Sequence, residues 1–218
     1  MPKVKIPRKS TNIDMTAMCD VAFLLLSFFI LATKTKPPEA VPVITPTSVS
    51  TKVVKDEAIV VTLGKDGKVF LMLSDRKHKN AIIDDINAAK SLGLNAAEIT
   101  KLRKLDFIGM PFSKLKSFLQ LQDDIPASKM DGIPSDSTNN ELADWISSVK
   151  NAYKGESIEN LNLLVKGDNL AKYPSFKNIK TAFKKNDIFK FKIVTNPEGI
   201  PGDSELAKNP PKAEGVKE

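Results

Sequence analysis

Residues 13 to 33, "IDMTAMCDVAFLLLSFFILAT", constrain this chain more than any other stretch. Only Asp14 and Asp20 are charged within it, and Asp14 lies at its edge. About 21 helical residues at about 1.5 Å each span roughly 31 Å, the thickness of a bilayer's hydrocarbon core. The densest part, "VAFLLLSFFILA", contains no Gly or Pro to break a helix. The sequence therefore predicts a transmembrane helix over 13–33. A signal peptide has a comparable apolar run, but "ATKTKPPE" is a poor small-x-small cleavage site and an aspartate inside the run is unusual for one. An uncleaved anchor is expected. Lys3, Lys5, Arg8 and Lys9 precede the helix, whereas Lys34 and Lys36 follow it. That bias favours a cytoplasmic N-terminus, residues 1–12, and translocation of the long C-terminal part.

Asp20 is the costly residue in this helix. A charge at a helix centre costs about 2.5 to 3.5 kcal/mol on insertion scales, less toward the ends. Two readings stay open. Asp20 is an interfacial carboxylate tolerated by snorkelling, or it faces a bundle interior and exchanges protons, since burial raises a carboxyl's pKa. Helical spacing favours the second. Thr16, Asp20 and Ser27 stand at i−4, i and i+7, while Val21, Leu25, Phe28 and Phe29 lie on other faces. Thr16 and Ser27 thus form a polar face with Asp20, and a narrow polar stripe on an apolar helix marks a protein-facing side.

The rest of the composition mainly excludes. The chain has one cysteine, Cys19, and one histidine, His78. No intramolecular disulfide can form, and no metal or cofactor is expected. No Gly-rich phosphate loop, nucleophile elbow or H-E-x-x-H occurs, so the chain does not read as an enzyme. Lys and Arg number 33 against 26 Asp and Glu, a net charge of +7. That excess reads as spread along the chain, with no dense basic stripe, and no nucleic-acid partner is expected.

"IDMTAMCDVAFLLLSFFIL" resembles the membrane helix of the ExbD/TolR family. Asp14, Met15 and Thr16 fit the start of its pattern and Asp20-Val21 its centre, with Ala17 where the family usually has proline. "LNLLVKGDNLAKYPSFKNIKTAFKKNDIFKFKIVT" resembles the family's last strand–helix–strand unit, including Asp168 and Tyr173. The resemblance implies an inner-membrane, single-pass subunit with a periplasmic C-terminal domain. It implies that Asp20 is the proton-coupling carboxyl and that the proton-motive force drives TonB-dependent transport across the outer membrane. The implied partners are an ExbB/TolQ-like polytopic channel subunit, a TonB-like protein, the membrane and a second copy in a dimer. A TolR-like role in envelope integrity is the nearest alternative, followed by a plain membrane-anchored binding domain.

The fold class read from the chain is α+β: one N-terminal transmembrane helix, a Pro-rich linker and a small periplasmic domain with a helical insertion. Residues 34–57 contain Pro37, Pro38, Pro42 and Pro46 and read as an extended tether reaching roughly 75 Å. Within them, "VPVITP" falls where family members have a short segment that can pair with the domain. The domain is expected over 58–196. "AIVVTL" and "KVFLML" flank the turn "GKDG" and read as a hairpin. "NAIIDDINAAKSLGL" carries Ile82, Ile83 and Ile86 at helical spacing, with His78 in the loop ahead. Residues 94–141 read as an insertion of two helices and a long loop. Asn95 and Glu98 form a cap pair for the first helix, and Phe112, Leu115, Phe118 and Leu119 share one face of the second. A helix at "ELADWISSVKNAY", with Trp145 and Ile146 in the core, precedes a final strand, helix and strand. Residues 197–218, rich in Pro, Gly and charge, are expected to be disordered.

Overall fold

The structure is a computed structural model, and it describes residues 15–33, 39–49, 58–121, 129–154 and 161–198. The sequence readings for 1–14, 34–38, 50–57, 122–128, 155–160 and 199–218 lie outside the described residues, while Pro197, read from sequence as the start of a disordered tail, is paired in a strand. The chain forms two units, residues 1–38 and 39–218.

The first unit contains α1, Met15–Ala32, whose sequence is apolar all round apart from its narrow polar stripe. It is the one described helix long and apolar enough to cross a membrane.

The second unit is an α+β domain. Its elements are β1 (Thr47–Ser48), β2 (Ile59–Leu63), β3 (Val69–Leu73), α2 (Arg76–Lys90), α3 (Ala96–Lys104), β4 (Phe107–Ile108) and α4 (Phe112–Gln120), then α5 (Glu141–Ala152), β5 (Leu163–Gly167), α6 (Tyr173–Lys185), β6 (Lys192–Ile193) and β7 (Asn196–Pro197). Five strands form one mixed sheet in the order β4-β3-β2-β5-β6. β2 and β3 are the expected hairpin, antiparallel with Ile59 opposite Leu73 and Leu63 opposite Val69. The turn between them places Gly67 at φ +79°, a region that favours glycine. β5 runs parallel to β2 and to β6, which is why a helix, α6, must carry the chain from β5 back to β6.

Helices α2, α5 and α6 pack side by side over the sheet. α5 presents Leu142, Trp145, Ile146 and Val149 at i, i+3, i+4 and i+7, and all four are fully buried. They meet Ile82, Ile83 and Ile86 from α2 and Ile179 and Phe183 from α6 in one core. Fully burying each such side chain stabilises by about 1.5–3 kcal/mol.

Residues 94–141 are not an appendage. α3 opens with a full capping box: Asn95 accepts from the Glu98 amide while Glu98 accepts from the Asn95 amide. The chain then adds β4, absent from the sequence reading, as an antiparallel edge strand on β3. Gly109 follows it directly beneath Phe70, where a Cβ would stand 2.3 Å from the ring. Met130 also touches this site, and the Ile133 amide donates to the Val69 carbonyl at 2.8 Å. Phe70 alternates to the opposite sheet face from Val69 and Leu71, and is nonetheless 1% exposed. The segment supplies its cover.

Residues 39–49 also depart from expectation. Read from sequence as free tether, they lie along the domain. Ala40 and Val41 pack on the core, and Glu39 pairs with Lys166 at 3.1 Å. β1 pairs in parallel with β7. This strap includes "VPVITP", and the strand pairing with β7 lies just after it, at Thr47 and Ser48. Only five residues, 34–38, separate Thr33 from the strap; the reach of such a chain is roughly 20 Å rather than 75 Å.

Candidate functional site

α1 holds the sequence-derived site. At 100° per residue, Thr16 and Ser27 fall within about 40° of Asp20, so one helix brings all three onto one stripe. Asp20 is the sole charged residue in α1, and its carboxyl has no hydrogen-bond or ion-pair partner among the described residues. The Ser27 hydroxyl donates to the Leu24 carbonyl at 2.9 Å, which satisfies it within the helix. The stripe therefore carries one carboxyl, with the Thr16 hydroxyl on one side and, on the other, the Ser27 hydroxyl tied to its own backbone. One helix cannot enclose a proton path, so any such path takes its other walls from further chains.

The domain gathers polar groups differently. Asp75 caps α2: its Oδ1 accepts from the Lys77 amide at 2.9 Å, and its Oδ2 lies 2.5 Å from His78 Nδ1. The Tyr153 hydroxyl, at the far end of α5, donates to the same Oδ2 at 2.5 Å. His78 and Tyr153 stack at 4.0 Å between centroids. Burial pushes the Asp75 carboxyl up, but the bonds from Tyr153, His78 and Lys77 together hold it below its ordinary 3.8. His78 is thus not a loop residue, as the sequence reading had it; α2 begins at Arg76, four residues before "NAIIDD". The missed signal was Asp75 ahead of "RKHKN", a capping aspartate at a helix start.

Asp168 and Tyr173, the pair in the strand–helix–strand resemblance, bracket the turn from β5 to α6. One Asp168 carboxylate oxygen accepts from the Leu170 amide at 2.8 Å and the other from the Ile44 amide of the strap at 3.1 Å. Asp168 is a fastener between strap and domain. Tyr173 starts α6 and is exposed.

The family model for biopolymer transport protein ExbD/TolR matches residues 7–198, covering α1 with its Asp20 stripe and the whole described domain. The chain belongs to the ExbD/TolR family. No curated protein and no solved structure matches it. ExbD/TolR membership, with α1, makes the chain a single-pass membrane protein. Members are energy-transducing subunits of biopolymer transport, not enzymes, and work in membrane complexes with ExbB/TolQ-type partners.

Proposed function

We propose that this chain is an ExbD-like subunit of an inner-membrane proton-channel motor, with its N-terminus in the cytoplasm and its domain in the periplasm. Asp20 is the carboxyl that couples proton passage to movement. The motor drives a TonB-like partner and hence transport across the outer membrane. The observation that carries this is a lone carboxyl on the polar stripe of α1, in a chain of the ExbD/TolR family. A proton crossing 100 mV releases about 2.3 kcal/mol, enough to bias a rotation or rearrangement of the complex. A pair of such helices inside a ring of channel subunits would supply the enclosure that one helix lacks.

Asp20→Asn tests the proposal. Asparagine keeps the shape and the hydrogen bonding but cannot carry a proton at physiological pH. The complex with the channel subunit should be recovered from detergent in normal yield, while proton-motive-force-dependent uptake through the outer membrane is lost. Thr16→Val and Ser27→Ala should be milder. Full uptake by an assembled Asp20→Asn protein would refute the coupling role. Normal uptake with a leaky envelope in a strain lacking the protein would instead assign it a TolR-like job.

A further inference from the structure

The basic charge of the chain is not spread evenly, contrary to the sequence reading. Residues 162–195 carry eight lysines against Asp168 and Asp187 alone, a surplus of six in a chain of net charge +7. Asp187 is in addition paired with Lys150 at 3.1 Å. On α6, Tyr173, Lys177, Lys180 and Lys184 recur at spacings of four, three and four, so they form one line along the helix. All four are exposed, on the side away from buried Ile179, Ala182 and Phe183. The three lysines have no ion pair among the described residues.

The N-terminal end of that line is apolar. Asp168 binds the amides of Ile44 and Leu170 with its two carboxylate oxygens, which brings those residues together. Ile44 is 68% exposed, Leu170 61% and Tyr173 66%. Three large apolar side chains standing in water on a strapped, hydrogen-bonded turn are costly unless something covers them. The strap that holds Ile44 is joined to α1 by residues 34–38 alone, which carry Lys34 and Lys36. Tethering to a membrane helix raises the effective concentration of lipid for a lipid-binding face anywhere on the domain.

We propose that this face of the domain is a docking surface for anionic phospholipid. Ile44, Leu170 and Tyr173 enter the headgroup layer, and Lys177, Lys180 and Lys184 pair with lipid phosphates. Lysines near an anionic surface and an amphipathic aromatic at the interface are the usual elements of such contact. A second copy of the chain would have to bring its own acidic surface to this line, whereas the described C-terminal part of the domain is basic.

The test uses the full chain in nanodiscs, without the channel subunit, and compares phosphatidylcholine with phosphatidylcholine mixed with phosphatidylglycerol. A headgroup-attached nitroxide lipid reports proximity through broadening of methyl resonances. Ile44 and Leu170 should broaden in the anionic discs far more than Ile193, which is also exposed, and core Ile146 should not. The effect should fade in phosphatidylcholine alone and in high salt. Each of Lys177→Gln, Lys180→Gln and Lys184→Gln should lower the docked-to-free ratio roughly fivefold. Equal broadening at Ile44 and Ile193, or no dependence on lipid charge, overturns the proposal. Concentration-dependent broadening without the nitroxide lipid would assign the face to a second copy and also overturn it. The salt titration is made on unaltered protein, so a misfolded variant does not spare the idea.

Discussion

Asp20 and Asp75 are both helix aspartates, and they sit in opposite circumstances. Asp75 is buried and receives hydrogen bonds from two backbone amides, a histidine ring and a tyrosine hydroxyl. Asp20 stands on an apolar helix with no partner among the described residues. The domain completes the Asp75 carboxyl from its own chain, so this carboxyl is structural. α1 leaves its carboxyl without a partner among the described residues, and the proposed coupling role gives it one in other chains. A carboxyl's job is read from who completes its hydrogen bonds, not from how buried it is.

Substitution at each aspartate should separate the two. Asp75→Ala removes the α2 cap and strands the buried Tyr153 hydroxyl, a loss of about 2–4 kcal/mol. The unfolding midpoint, read from fluorescence of the single Trp145, should fall accordingly. Asp20→Ala should leave that midpoint unchanged. A stable Asp75→Ala domain would break the contrast.

Gly109→Ala probes whether the domain depends on close packing that α1 lacks. A methyl group there meets the Phe70 ring, and overpacking of this kind costs about 1–3 kcal/mol. The same fluorescence midpoint measures it, and a neutral effect would mean Phe70 has room to move.

Acid should act on the domain through Asp75. Its folded carboxyl lies below the ordinary 3.8, so the stability it contributes is present above that value and is lost as pH falls below it through the folded value. Asp75→Asn should flatten the acid limb of a denaturation profile below 3.8 and leave the profile near neutral pH unchanged in slope. An unchanged limb would show that other carboxylates dominate.

The smallest effect is expected at Asp168→Ala. It releases the Ile44 amide and loosens the strap by about 1 kcal/mol without unfolding the domain. Amide exchange at Ile44 and Asn169 should accelerate while that of Val61 stays slow; equal exchange rates before and after would show that β1 and β7 alone hold the strap.

What the sequence made legible was local. The "GKDG" hairpin, the Asn95–Glu98 capping box and the α5 face around Trp145 each depend on residues within a few positions of one another. The parts it hid depend on distance along the chain. Tyr153 reaches Asp75 across 78 residues, so His78 looked like a solitary loop residue. β4 is two residues long and exists only because β3 offers an edge. β6, expected over "IFKFKIVT", pairs only at Lys192 and Ile193, because the chain leaves the sheet to meet the strap through β7. The strap itself looked like a spacer because its prolines favour extension equally well when docked. Asp20 was legible as an anomaly of composition, and its role rests on family membership and on the experiment above.

The stitching of residues 94–141 into the sheet bears on anyone trimming this protein for study. A cut that joined α2 directly to α5 would look tidy on paper, since it removes only two short helices and their loops. It would uncover Phe70 on one face and leave β3 as a bare edge, a five-residue apolar strand ready to pair with its neighbours in solution. The minimal soluble form of this domain is therefore the long one.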